Sequence, residues 1–288
     1  MNIKKAPLVL LRICISRDYR RLRSLKIFDS GYYLSCKGQA ASDDLDPLWT
    51  YVKTGLSEAN KSLKKSVGWS QQADPHPLFD SAFYLLQYFP NGITQNPLLH
   101  YLHSGWKSGY RPGPFFDPAV YGERNGWAEG DGDPLTHYTH HGKLLELSPC
   151  LSFDYDFYFD RNPILAGVGA EIIKHYKLHG ASIGKSPLPI FDPQFYLQNV
   201  GEGRLAISDP FSHYMSRADD SSSLPGMLFE PAFYVQECDN SITLEEALVH
   251  YVTCGVFQGR YPHKRVKELA DTPVVSLLVP VYNPDPVS

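Results

Sequence analysis

Apolar and polar residues along this 288-residue chain recur in blocks of nearly constant length. Each block opens on an aromatic, an acid and, a few residues on, further aromatics. The six openings are Phe28-Asp29-Ser-Gly-Tyr32-Tyr33-Leu34, Phe79-Asp80-Ser-Ala-Phe83-Tyr84-Leu85, Phe116-Asp117-Pro-Ala-Val-Tyr121, Phe153-Asp154-Tyr-Asp-Phe157-Tyr158, Phe191-Asp192-Pro-Gln-Phe195-Tyr196 and Phe229-Glu230-Pro-Ala-Phe233-Tyr234. A second signature follows within each block, cleanest as Asp133-Pro134-Leu135-Thr-His137-Tyr138…Gly142. Its histidine recurs as His100, His137, His175, His213 and His250; the first block has Thr50 there, in Asp46-Pro47-Leu48-Trp49-Thr50-Tyr51. Successive openings lie 51, 37, 37, 38 and 38 residues apart, the first interval holding a polar insertion near residues 57–72.

The pattern predicts two short helices per block. In Phe191-Asp192-Pro193, Asp192 is a good N-cap and Pro193 suits the first helical position. Phe191 before the cap and Tyr196 at the fourth helical position form a hydrophobic staple. Asp133 and Pro134 repeat the device, and Gly142 is expected to end its helix in a left-handed turn. A connector rich in Gly and Pro, such as Gly105-Trp106-Lys-Ser-Gly109-Tyr110-Arg111-Pro112, leads to the next block. Helices this short are marginal alone, so packing must hold them. The expectation is a mainly α fold: six two-helix repeats over residues 28–265, stacked side by side as a quasi-linear array. An irregularity is expected in the fifth, where Arg217-Ala218-Asp-Asp-Ser-Ser-Ser223 replaces the Gly turn.

The pattern changes near the end of the chain. Pro273-Val-Val-Ser-Leu-Leu-Val-Pro280-Val-Tyr282-Asn283 reads as a buried strand of a parallel sheet, an orphan here because no other segment supplies the sheet.

Charge separates the first 27 residues from the rest. They carry +7 (eight Lys and Arg against Asp18), which leaves −11 of the overall −4 on the remainder and argues against nucleic acid as a partner of the body. The apolar run 7–15 is short and broken by Arg12, and no small-residue cleavage site follows. This segment is either a packed first helix with a solvated basic face, the reading we favour, or an amphipathic contact to an anionic membrane surface. Five cysteines (Cys14, Cys36, Cys150, Cys238, Cys254) at unrelated block positions suit a reduced, cytoplasmic protein.

Candidate chemistry is sparse. His137/His141 and His175/His179 have ligand spacing on a helix, but Ser104, Arg217 and Cys254 take the second place in other blocks. The recurrent histidine therefore reads as a packing or hydrogen-bonding element, and no metal ligand is assigned. Asp44-Leu-Asp46, Asp131-Gly-Asp133 and Asp154-Tyr-Asp156 resemble diphosphate-metal pairs, yet Asp46, Asp133 and Asp154 are explained as caps, as are Asp29, Asp80, Asp117 and Asp192. Trp106, Tyr110 and Trp127 lie in connectors and are the best candidates for stacking on sugar rings. No phosphate loop, nucleophile elbow or Cys/His nucleophile set is present in the sequence.

Two resemblances meet here. Val274–Asn283 resembles the opening strand of family 2 glycosyltransferases, whose GT-A domain begins in a similar way. The blocks resemble helical units found ahead of that domain in some bacterial polysaccharide-synthesis glycosyltransferases, and also in some large secreted bacterial proteins. The resemblance implies that residues 273–288 open a GT-A domain, with Pro280, Tyr282 and Asn283 lining a nucleotide-sugar pocket. A complete enzyme of this kind would need a divalent metal (Mg or Mn), a nucleotide-sugar and a glycan acceptor. The acidic metal motif and catalytic base are not in this sequence, so the chain alone is expected to be inactive, with no catalytic residue of its own and no cofactor. The repeats would then be a scaffold for acceptor, membrane or partner proteins. The alternatives are a stand-alone interaction module and a glycan-binding array.

Overall fold

The computed structural model describes residues 16–38, 46–64, 73–142, 148–163, 170–200, 207–217 and 224–270. The described residues form a mainly α fold. Helix α1 (Arg17–Leu25) buries Tyr19 and Leu22 and turns Arg17, Arg20 and Arg23 to solvent. Six units follow: α2 (Ser30–Lys37) with α3 (Pro47–Lys64); α4 (Ser81–Tyr88) with α5 (Pro97–His100); α6 (Pro118–Asn125) with α7 (Pro134–His137); α8 (Tyr155–Asp160) with α9 (Ala170–His175); α10 (Pro193–Asn199) with α11 (Pro210–Met215); and α12 (Pro231–Glu237) with α13 (Leu244–His250). Helix α14 (Lys264–Ala270) closes the described chain.

The first helix of each unit forms as its sequence directs. Asp29, Asp80, Asp117, Asp154 and Asp192 each accept a hydrogen bond from a backbone N–H of the first turn, whereas the longer Glu230 makes no such bond. The Phe before each cap meets the Tyr at the fourth helical position in all six units, with ring centroids 5.2–5.7 Å apart. That Tyr in turn meets the Tyr of the second helix edge-on in every unit, as in Tyr121 with Tyr138 at 5.6 Å and 88°.

The units are joined by a bond the helix pattern does not announce. The N–H of each first cap donates to the carbonyl of a proline at the next unit's entrance: Asp29 to Pro75, Asp80 to Pro112, Asp117 to Pro149, Asp154 to Pro187, Asp192 to Pro225 and Glu230 to Pro262, all 2.8–3.0 Å. A cap N–H lies outside the helical ladder and must find another acceptor when buried. Each of the first five units is completed by the proline at its successor's entrance, and unit six by Pro262, just ahead of α14.

The second helices depart from expectation. In four units the short α segment passes into a π turn: Tyr101–Gly105, Tyr138–Gly142, Tyr176–Gly180 and Tyr251–Gly255. The glycine that ends each turn is not left-handed. Gly105 and Gly180 have φ of −60° and −64°, and the left-handed residues come four positions later at Gly109, Gly184 and Gly259. The consensus glycine is needed for space instead. A Cβ on Gly105, Gly180 or Gly255 would collide with the hydroxyl of Tyr84, Tyr158 or Tyr234, and one on Gly142 would lie 2.9 Å from that of Tyr121. The exceptions follow the same rule. Unit five has Ala218 at the glycine position, and among the described residues no π turn follows α11. Unit one has Thr50 in place of the histidine, and α3 runs as an α-helix straight through Gly55.

Helix α3 also absorbs part of the insertion expected near 57–72. Leu56 and Ala59 pack with Leu85 and Ile93, and Asn60 exchanges two hydrogen bonds with the Ile93 backbone, of 2.8 and 3.0 Å.

The array is coiled, not quasi-linear. Units three apart touch: Lys174 reaches Asp29 at 2.8 Å, the Gln87 side chain donates to the Met215 carbonyl at 3.4 Å, and Arg111 approaches Glu245 at 3.8 Å. Units two apart touch as well, with Phe115 stacked on Phe211 at 5.6 Å and 13°. Helix α1 lies in the same coil, with Arg21 donating to the Leu102 carbonyl at 2.9 Å. One continuous hydrophobic cluster therefore runs from Tyr19 to Tyr251. The strand expected at 274–281, and Pro280, Tyr282 and Asn283 with it, lie outside the described residues.

Candidate functional site

Two groups of polar side chains stand out in this apolar coil. The first is a ladder of tyrosine–histidine pairs. The staple tyrosine of units two to six bonds the Nδ1 of the histidine on the facing helix: Tyr84–His100 2.7 Å, Tyr121–His137 2.7 Å, Tyr158–His175 3.0 Å, Tyr196–His213 2.6 Å and Tyr234–His250 2.8 Å. With the ring neutral and its proton on Nε2, the hydroxyl donates and Nδ1 accepts. Burial favours that state. It lowers the pKa of His100, with help from His103, and of His175, with help from His179 and Lys185; His213, desolvated beside Arg217, falls to about 4. Burial likewise pushes the Tyr121 and Tyr158 hydroxyls up to about 12, so both keep their protons. The ladder thus ties the two helices of a unit through tyrosine–histidine hydrogen bonds, and the absent Cβ of the glycine leaves room for the hydroxyl.

A second ladder runs between units. The hydroxyl of Tyr51 donates to Asn96 Oδ1 at 3.1 Å and that of Tyr176 to Asp209 Oδ1 at 2.9 Å, each acceptor being the second cap of the next unit. Tyr19 of α1 makes the same contact with Asp46, at 2.8 Å. Helix α1 therefore occupies the place of a preceding unit and covers the N-terminal end of the array.

The second polar group is a buried charge cluster. Lys177, on the π turn after α9, places Nζ 2.8 Å from Asp80 and 4.0 Å from Asp74, with all three side chains less than a tenth exposed. Burial opposes the ammonium, but Asp80, Asp74 and Asp209 outweigh it and hold the Lys177 pKa above its ordinary value. Asp74 accepts from the Ser81 N–H at 2.9 Å. Burial first, and the neighbouring Asp80 second, raise Asp74 to about 7 against the pull of Lys177. Burial with Asp74 also lifts the Cys36 thiol to about 11, which leaves it protonated and a poor nucleophile. The cluster joins units one, two and four. Its chemistry is that of an inter-turn clamp: charges desolvated, paired and closed to solvent.

The residues singled out in the sequence fall into place around these groups. Asp29, Asp80, Asp117, Asp154 and Asp192 are helix caps; Asp29 and Asp80 spend their second oxygen on Lys174 and Lys177. Asp46 and Asp133 cap second helices. The recurrent histidines bond the staple tyrosines, and His137 also lies beside His141 and His175 beside His179, with ring centroids 5.0 and 5.5 Å apart. Tyr110 has one face taken by Tyr88, at 3.9 Å and 2°, while Trp106 and Trp127 meet edge-on at 6.0 Å and the Trp127 indole donates to the Gly132 carbonyl at 3.2 Å. All three are half-buried. Lys177 and Asp74 were missed because each occurs once, at a block position where the other units carry unrelated residues.

Among the described residues no His, Cys, Asp and Glu group is placed to hold a metal ion, and no helix is long and apolar enough to cross a membrane. No protein-family model, no curated protein and no solved structure matches the chain.

Proposed function

We propose that this chain is the N-terminal scaffold of a nucleotide-sugar-dependent glycosyltransferase of the family 2, GT-A type, acting in cell-surface polysaccharide synthesis. One observation carries the reading: the sequence Val274-Val-Ser-Leu-Leu-Val-Pro280-Val-Tyr282-Asn283 stands directly behind the last helix of the array. Parallel strands of α/β sheets bring ligand-binding residues to their carboxyl ends, and in sequence Pro280, Tyr282 and Asn283 follow the apolar run. The coil contributes rigidity. Its polar groups are capped, paired or buried, which suits a spacer that positions other parts. A divalent metal, the donor and the acceptor would be bound by residues other than those of the array.

The basic N-terminal segment is proposed as a peripheral contact to the cytoplasmic face of a membrane. Arg17, Arg20, Arg23 and Lys26 are solvent-facing on and beside α1, and Lys4, Lys5 and Arg12 precede them in sequence.

The decisive experiment extends the chain with its downstream coding sequence and measures nucleotide-sugar binding with divalent metal present. Binding in the extended protein and none in residues 1–288 is expected. An in-frame stop directly after residue 288, with no further βα pattern nearby, would sink the transferase reading. It would leave the second one, a stand-alone interaction module, which is favoured by the apolar side chains that the last unit turns outward.

A further inference from the structure

The two ends of the coil are finished differently. The residue just before each staple Phe forms a column along the array. Ile27, Leu78, Phe115 and Ser152 are each 1% exposed, Ile190 is half-buried, and Leu228 is 53% exposed. What covers this column is visible at Phe115, whose ring meets Phe153 and Tyr176 of the next unit and Phe211 of the one beyond, all within 5.6 Å. Cover comes from one and two units further along. Unit six has no such successor among the described residues. Leu228 and the adjacent Met227 (72% exposed) stand open there. The N-terminal end is closed by α1, and repeat arrays need such closure at both ends.

Helix α14 does not supply it. It is held at the side of unit six by Lys267 on Glu237 at 2.7 Å and by the bond from Glu230 N–H to Pro262. The chain thus leaves α14 close to the open end. Glu230 is two residues from Leu228, and α14 carries the chain on by only about 10 Å. Three residues past Ala270 begins Pro273-Val-Val-Ser-Leu-Leu-Val, the most apolar stretch in the second half of the sequence.

We infer that the open end formed by Met227 and Leu228 is the docking surface for residues 273–283 of the same chain. The apolar segment takes the place of the missing next unit, and its short tether raises its local concentration at this face far above that of any separate partner. The inference goes beyond the scaffold reading: it concerns the 288-residue chain and rests on sequence order and exposure, not on transfer chemistry, and in a longer protein the same residues would have to leave this face to enter a sheet.

The test uses the 288-residue chain with a photo-crosslinking amino acid at Leu228, and a control at the exposed Glu123. Irradiation is expected to join position 228 to a peptide within 273–283 of the same molecule. A product between two molecules, a product elsewhere in the array, or a yield no higher than at Glu123 would overturn it. Amide exchange gives an independent reading: Leu228→Asp should speed exchange in 274–281 by about tenfold while leaving α4 and α5 unchanged. Unprotected amides in 274–281 of the unsubstituted chain would also overturn it. Neither readout depends on a nucleotide-sugar, so a contact found without donor binding would cost only the transferase reading.

Discussion

The hydroxyl of Tyr158 occupies the space that a Cβ on Gly180 would need. The same hydroxyl bonds His175 on the facing helix at 3.0 Å. A steric and a polar requirement thus converge on one atom, and that atom explains why the second signature carries both a histidine and a glycine five residues later.

Gly180→Ala should destabilise the protein by about 1–3 kcal/mol, as overpacking does. Tyr158→Phe alone should cost about 1 kcal/mol through the lost hydrogen bond. Removing the hydroxyl also removes the collision, so the double variant should be more stable than the sum of the single effects requires. Chemical denaturation of the four proteins measures this coupling; strict additivity would show that the hydroxyl is not what the glycine accommodates.

The histidines set one pH response. His213 has its folded pKa depressed to about 4, below the ordinary 6.5, so its contribution is present above about pH 6.5 and is lost as pH falls through 4. His100 and His175 are shifted in the same direction by burial. His213→Gln should therefore flatten the loss of stability between pH 6.5 and 4, read from denaturation midpoints across that range.

Asp74 sets the opposite response. Its folded pKa is raised from 3.8 to about 7, so its favourable contribution is complete below about pH 4 and is lost as pH rises through 7. Asp74→Asn keeps an oxygen for the Ser81 N–H and removes the buried charge. It should stabilise the protein at pH 8 by on the order of 1 kcal/mol and have little effect at pH 4. Lys177→Met leaves the two carboxylates buried without their cation and should cost about 3–5 kcal/mol at pH 7. Thermal denaturation of Asp74→Asn at pH 4 and 8, and of Lys177→Met at pH 7, checks the pair.

Glu230 is the one first-helix cap whose side chain makes no capping bond. Glu230→Asp restores the length the other five units use and should raise stability by about 0.5–1 kcal/mol. An unchanged melting temperature would mean that the contact of Glu230 with His263, 3.9 Å away, compensates for the missing cap.

How far the sequence could be read follows from how local each determinant is. Asp192, Pro193, Phe191 and Tyr196 sit within six residues, and the helix they specify is the helix that forms. The pairing of Tyr196 with His213 spans 17 residues but recurs in five units, so the histidine could be read as structural before its partner was known. The π turns left no such trace, because Gly142 signals a helix end equally well in the left-handed and right-handed conformations. The coil was invisible because Lys174 with Asp29, Lys177 with Asp80 and Phe115 with Phe211 lie 145, 97 and about a hundred residues apart. None of these pairs recurs from unit to unit. Repetition made the unit legible; what is unique to each unit makes the coil.

The proline bonds give the array a seam that does not coincide with its visible motif. A segment running from Phe79 to the residue before Phe116 carries both Asp80 and the Pro112 carbonyl it needs, and leaves Pro75 in place for Asp29. Excision or duplication of one whole period therefore conserves every joint, because a proline lost at one cut is matched by the one brought up at the other. A cut out of phase, or a terminus placed between a cap and its proline, leaves a cap N–H without its acceptor. Lengthening or shortening such an array, in the laboratory or in evolution, is a question of keeping phase with that one carbonyl.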